Sequence, residues 1–211
     1  MSYAFLDIAS TPSVKAAQAA NGSGDYWNSF RGDRQFDRFT EAEAAFIAAR
    51  DSFYMASLSQ TGWPYIQHRG GPPGFLRHID ERKLGFADYR GNRQYISVGN
   101  VAADDRVALI LMDYPARRRL KIYAHAEVVS LDGRAELAAK LEVPGYRAKA
   151  ERAILLHLDA FDWNCPQHIT PRFTQEEITV AVRPAMERLE ALEAENAALE
   201  ARLAALGGTS A

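Results

Sequence analysis

Residues 53–69 read FYMASLSQTGWPYIQHR, and this stretch decides the fold. Its residues favour strands, its polarity shifts toward a period of two, and Thr61-Gly62 separates two such runs as a hairpin turn does. The two runs are therefore expected to be antiparallel neighbours in a meander, which disfavours the βαβ units of a Rossmann sheet. Working outward, GFLRHID (74–80) and KLGFADY (83–89) extend the pattern to four successive strands. After a short helix expected over Asn92–Val101, RVALILMD (106–113), RLKIYAHAEVVSL (119–131) and RAILLHLDAFD (152–162) supply three more. About seven strands with few helices predict a mainly β, α+β fold closed or partly closed into a barrel.

The flanks differ from this middle. Residues 1–40 mix Ala-rich helical pieces, as in Ser13–Ala20, with the Gly/Ser/Asp stretch Asn21–Asp25, and read as an arm lying on something else. Thr40 and Glu43 have the spacing of a capping box, and Phe46 and Ile47 give the helix that follows, ending near Arg50, an apolar face with which to cap the barrel. Over 174–207 the period becomes heptad: Leu189, Asn196 and Leu203 at position a, Leu192, Leu199 and Leu206 at d, continued back to Val182 and Ile178. This predicts a coiled coil. One Asn in a leucine seam selects a parallel two-stranded pairing, because two buried amides satisfy each other only in register. The alternative is an amphipathic helix packed on its own barrel. Gly207-Gly208 ends the helix.

A chain of 211 residues, 47% hydrophobic and 25% charged, can bury a sizeable core. Its net charge is −2 and its Lys and Arg residues form no long basic block, so no nucleic-acid partner is expected and any bound phosphate should be small. The single cysteine, Cys165, and an N-terminus without a secretory pattern point to the cytoplasm. No apolar stretch approaches the roughly 20 residues needed to cross a bilayer.

Two segments could carry chemistry. In QHRGGPPGFLRHID (67–80), Gln67, His68 and Arg69 end a strand, and Gly70-Gly71 then removes side chains where a flat ligand could approach the backbone; a plain tight loop reads equally well. In DYRGNRQ (88–94), Tyr89, Arg90, Gly91, Asn92, Arg93 and Gln94 stand at a strand-to-helix junction. Unpaired helix N–H groups and two arginines suit a phosphate, although a solvated arginine pair on a turn gives the same pattern. No GxGxxG, P-loop, GxSxG or HExxH occurs. The five histidines lack metal-ligand spacing, so no metal is expected, and nothing near Cys165 activates it as a nucleophile.

Four runs in order, FIAARDSFYMAS, GWPYIQHRGGPPGFL, GFADYRGNRQYISVGN and RVALILMDYPARRRLKIYAHAEVV, resemble the pyridoxamine 5′-phosphate oxidase-related FMN-binding family, and WNCPQHITPRF resembles its usual ending. The resemblance implies a split β-barrel domain over 41–173 and a homodimer with FMN at the subunit interface. It implies that Gln67, His68, Arg69, Gly70 and Gly71 contact the ring and ribityl chain and that Arg90, Asn92, Arg93 and Gln94, beside Tyr89 and Gly91, hold the phosphate. Arg119, Trp163, Asn164, Gln167 and Arg172 would reach the flavin from the partner subunit. Arg69 would stabilise the reduced flavin and His68 would be the candidate proton donor. The region with which true pyridoxamine phosphate oxidases recognise substrate has no clear counterpart; the expected coiled coil stands there instead. The implied activity is thus an FMN-dependent oxidoreductase acting on an unidentified small molecule, with NAD(P)H as a candidate electron donor. A redox-sensing flavoprotein without turnover and a haem-binding protein of the same fold are the alternatives.

Overall fold

The computed structural model describes residues 4–30, 37–163 and 166–207. They fall into two compact units, Met1–Ile169 and Thr170–Ala211.

The first unit opens with three short helices, α1 (Ala4–Ala9), α2 (Pro12–Ala20) and α3 (Gly24–Ser29), and a fourth, α4 (Glu41–Ala48). The strands follow as β1 (Ser52–Leu58), β2 (Pro64–Gly70), β3 (Arg77–Asp80) and β4 (Lys83–Tyr89), then β5 (Arg106–Asp113) and β6 (Arg118–Val129) after helix α5 (Ile96–Ala103), and β7 (Ala150–Trp163) after helix α6 (Ala135–Leu141). They form one seven-stranded sheet in the order β2-β1-β5-β6-β7-β4-β3, with every pair antiparallel. This is the expected α+β class and the strand arrangement of a split barrel. The connections β1–β2, β3–β4 and β5–β6 are too short to hold a crossover helix, which makes these pairs antiparallel hairpins.

Side-chain alternation builds the core. Phe53 and Met55 of β1, Leu109 and Leu111 of β5, Leu120 and Ile122 of β6, Ile154 and Leu156 of β7, and Leu84 and Phe86 of β4 are all buried in one cluster. β1 and β4 stand far apart in the strand order, yet the Phe53 and Phe86 rings meet edge-on at 5.4 Å. The sheet must therefore curl so that its two ends approach each other across the core. Arg69 of β2 and Asp88 of β4 bridge that seam at 2.7 Å.

The helices close what the sheet leaves open. The expected capping box forms at α4: the Thr40 N–H donates to Glu43 Oε2 at 2.9 Å, and the Thr40 hydroxyl caps the first turn. Buried Phe46 and Ile47 then face the core. On the outside of β4, α6 buries Leu141 against Ala87, Val129 and Ala153. Gly85 makes this possible, since a Cβ there would lie 2.7 Å from Ile79 and 3.1 Å from Leu141. Helix α1 lays Phe5 on Tyr123, stacked at 4.7 Å.

Two local expectations shift. Residues 74–76 form a turn and not the start of a strand, because Gly74 adopts φ +79° and its N–H donates to the Arg50 carbonyl. Helix α5 begins at Ile96, later than Asn92, because Arg93 and Tyr95 both take positive φ.

The second unit contains helix α7 (Gln175–Gly207), a single helix of 33 residues with Pro184 inside it. Its start is capped by Thr174, whose hydroxyl accepts from the Glu177 N–H at 3.1 Å. Among the described residues, no helix is long and apolar enough to cross a membrane.

Candidate functional site

Strand β2 presents its side chains to two faces. Tyr65, Gln67 and Arg69 point one way, and Ile66 and His68 point the other. The first set lines a cavity of about 200 Å³ together with Asp88, Tyr89, the loop Gly91–Tyr95, Ile96, Ser97, Val98 and Glu151. It lies at the seam that Arg69 and Asp88 bridge.

The loop between β4 and α5 is shaped for this position. Asn92 Oδ1 accepts from the Gln94 N–H at 3.1 Å, and the Asn92 amide donates to Gln94 Oε1 at 3.2 Å. Arg93 and Tyr95 sit in the left-handed region, φ 63° and 53°, which costs about 1–3 kcal/mol per non-glycine residue and is usually kept where a site needs it. Tyr95 is the N-cap of α5 and offers no side-chain cap. The first-turn residues Ile96, Ser97 and Val98, whose amides have no acceptor within the helix, line the cavity. Asn100 anchors the helix from behind, donating to Ser57 Oγ of β1 at 3.1 Å.

A charge ladder runs around the cavity. Arg69 pairs with Asp88 at 2.7 Å, Asp88 with Arg152 at 3.5 Å, Arg152 with Glu151 at 2.8 Å, and Glu151 with Arg90 at 3.8 Å. The Tyr95 hydroxyl donates to Glu151 at 3.2 Å, and the Arg152 guanidinium lies 4.7 Å over the Tyr95 ring. Arg93 has no ion-pair partner among the described residues. Four arginines, 69, 90, 93 and 152, thus stand against two carboxylates, Asp88 and Glu151, a surplus of two positive charges. The buried Arg69 Nε lacks a hydrogen-bond partner. Burial, reinforced by the neighbouring Tyr146 phenol, pushes the Tyr89 phenol above its ordinary range and keeps it protonated.

The structure therefore brings Gln67, Arg69, Tyr89, Gly91, Asn92, Arg93 and Gln94 to one cavity, with Arg90 tied to its rim through Glu151. The other sequence candidates lie elsewhere. His68 faces away, edge-on to Tyr54 at 5.5 Å. Gly71 is glycine for the core's sake, since a Cβ would lie 2.7 Å from the Phe75 ring, and a Cβ on Gly70 would meet the His68 ring at 3.0 Å. Arg119 stands at the start of β6 with a buried, unpartnered Nε. Trp163 donates its indole N–H to Glu43 Oε1 at 2.8 Å and packs edge-on against Phe46. Gln167 is an exposed turn residue, Arg172 belongs to the second unit, and Asn164 and Cys165 lie outside the described residues.

Sequence reasoning missed Tyr65, Asp88, Tyr95, Ser97, Glu151 and Arg152. The period of two along β2 carried the signal for Tyr65, and it also separates His68 from Gln67 and Arg69. Asp88 opens the DYRGNRQ run itself. Glu151 and Arg152 are far away in sequence and reach the site only through the pairing of Asp88 with Arg152 across β4 and β7.

Comparison with known proteins adds the family. No curated protein sequence matches the chain. Among solved structures, a pyridoxamine 5′-phosphate oxidase-like protein from Lactobacillus delbrueckii is 21% identical, covering 60% of this chain and 94% of its own, with a TM-score of 0.46. An F420 reductase is 18% identical over 59% and 98% of the two chains, TM-score 0.42. An FMN-binding protein from Syntrophomonas wolfei is 11% identical over 59% and 84%, TM-score 0.41. The model of the family described as pyridoxamine 5′-phosphate oxidase matches residues 39–157, from the buried Phe39 before α4 into the middle of β7 and across the whole cavity-lining loop. Over more than half its length, then, the chain is a member of the pyridoxamine 5′-phosphate oxidase family.

Proposed function

We propose that this chain binds FMN and serves as an FMN-dependent oxidoreductase acting on a small molecule. The observation that carries this reading is the start of α5, which stands beside Arg93 at a cavity lined by Arg69, Arg93, Asp88 and Glu151, with Arg90 and Arg152 paired to those carboxylates from outside the lining, so that the cluster as a whole has two positive charges in surplus. A phosphomonoester carries about −1.5 to −2 at neutral pH, which matches that surplus. Arg90, Asn92, Arg93 and Gln94 would hold the phosphate with the first-turn amides of α5, and Gln67 and Arg69 would lie along the rest of the nucleotide.

Bound FMN would supply hydride-accepting chemistry, and the protein would supply orientation and charge. Asp88 fixes the Arg69 guanidinium at the cavity wall, where its charge would lie along the nucleotide. His68, on the opposite face of β2, is left out of the site of a single chain.

A second subunit is part of the proposal. One chain encloses about 200 Å³, below the roughly 300–1,000 Å³ of small-molecule sites. The outer sheet face leaves Tyr54 and Ile66 exposed beside an apolar cavity lined by Phe5, Ile110 and Tyr123. Arg119 and Gln167 remain candidates to reach the partner's flavin. The lone cysteine suits a reducing compartment, and we place the protein in the cytoplasm.

The test is an absorbance spectrum with and without FMN, followed by anaerobic addition of NADH or NADPH. Perturbed flavin bands that bleach with a pyridine nucleotide support the oxidoreductase. Perturbed bands that bleach only with dithionite leave FMN binding standing and remove NAD(P)H as donor. Free-flavin bands throughout overturn the reading.

A further inference from the structure

Helix α7 carries an apolar seam whose leucines are exposed: Leu189 is 48% exposed, Leu199 46% and Leu203 68%. The seam is narrow. Heptad register places Ile178, Ala185, Leu192, Leu199 and Leu206 at d and Val182, Leu189, Asn196 and Leu203 at a. Positions b, c and f hold mostly alanine and charge, and Pro184 falls at c, off the seam. A helix meant to lie on its own domain would show a stripe at least about 100° wide; a strict a/d seam flanked by charge fits one helix of the same kind.

From the charges beside that seam we infer that the occupant is a second copy of this chain, paired parallel and in register along α7. From Leu189 onward the flanking positions are Arg188, Glu195 and Arg202 at g, and Glu193, Glu200 and Gly207 at e; before it they are the uncharged Ala181 at g and Met186 at e. In a parallel pair, g faces the e of the partner's next heptad. Arg188 then meets the partner's Glu193, a favourable contact made twice, while Glu195 meets the partner's Glu200 unfavourably and Arg202 meets the partner's Gly207. In an antiparallel pair that keeps the seam fully overlapped, g faces g and e faces e. Arg188 then meets the partner's Arg202, and Glu195 and Glu200 each meet their own copies, so every charged contact is repulsive. Asn196 decides in the same direction. Parallel pairing sets its amide against the partner's Asn196, where the two satisfy each other, whereas the antiparallel arrangement buries it against the partner's Leu199. This pairing does not depend on flavin binding.

Disulfide trapping on the full chain tests it, with the native cysteine removed as Cys165→Ser. Leu199→Cys, at d, should form a covalent dimer in a glutathione redox buffer at least about tenfold more readily than Ala201→Cys at the outward f position. Mixed Leu189→Cys and Leu206→Cys chains should form no preferred mixed dimer. Preferred mixed dimers would show antiparallel pairing and overturn the inference, and so would equal trapping of the position 199 and 201 variants. Asn196→Leu gives a second readout: it should preserve association and add species larger than a dimer in sedimentation. A strict monomer with Asn196 intact would also overturn the inference.

Discussion

In β5, Val107, Leu109 and Leu111 recur at every second position and are buried; in α7, Leu189, Leu199 and Leu203 follow a heptad and stay exposed. The sheet's period finds its complement within the chain, because seven strands carry it and the curl of the sheet closes it on itself. The helix carries a period that no other described element shares. The lesson is that an apolar pattern becomes core only where a second element repeats it. The first unit is therefore expected to be stable by itself and the second to require another molecule.

Phe53→Ala should sharpen this contrast most. Phe53 is 1% exposed between Phe75 and Phe86, so truncation should cost about 3–5 kcal/mol in urea unfolding followed by tryptophan fluorescence. Leu199→Ala should move the same transition by about 1 kcal/mol or less and act on sedimentation instead. Equal effects would break the comparison.

Arg69→Ala addresses the seam where the sheet meets itself. It leaves Asp88 with Arg152 alone at 3.5 Å, and a loss of about 2–3 kcal/mol is expected, together with loss of flavin binding. Unchanged stability would mean that the sheet closes without that bridge.

Glu43 is a smaller case with a pH signature. Burial acts to raise its pKa, but hydrogen bonds from Thr40 and Trp163 outweigh it and hold the carboxyl below the ordinary 4.5. Its contribution is present above pH 4.5 and is lost as pH falls through the lower folded value. Glu43→Gln should cost about 1–2 kcal/mol at neutral pH and flatten the acid limb of stability against pH. The same acid slope in both proteins would contradict this.

The smallest effect concerns the outer sheet surface. His125 contacts Asp105 at 2.8 Å and Asp159 at 3.2 Å, and the Asp105 hydrogen bond chiefly raises its pKa above 6.5. The increment is complete below pH 6.5 and disappears as pH rises through the folded value. Because the pair is half exposed, His125→Gln should cost below about 1 kcal/mol at pH 6 and nothing measurable at pH 9, read from urea midpoints.

Much of the fold was legible because strand period, hairpin turn and capping box are local signals. The β1–β2 hairpin and the Thr40–Glu43 box formed where their residues indicated. Helix α6 was not legible: Ala135–Leu141 is short, and its place depends on the absent side chain of Gly85, a contact between distant segments. The cavity-lining loop could be read from DYRGNRQ, but its start as a helix could not, since the positive φ of Arg93 and Tyr95 is imposed by the surroundings and contradicts their residue types. Glu151 and Arg152 entered through strand pairing, which no local window contains.

The central claim is that the loop between β4 and α5 binds the phosphate of FMN. Fluorescence titration of the full chain with FMN and with riboflavin, in the native protein and in Arg93→Ala, tests it directly. The account predicts FMN binding at least about 100-fold tighter than riboflavin, and a preference reduced about tenfold or more by the substitution, each factor of ten being about 1.4 kcal/mol. Equal affinity for FMN and riboflavin, or a preference untouched by Arg93→Ala, would contradict it.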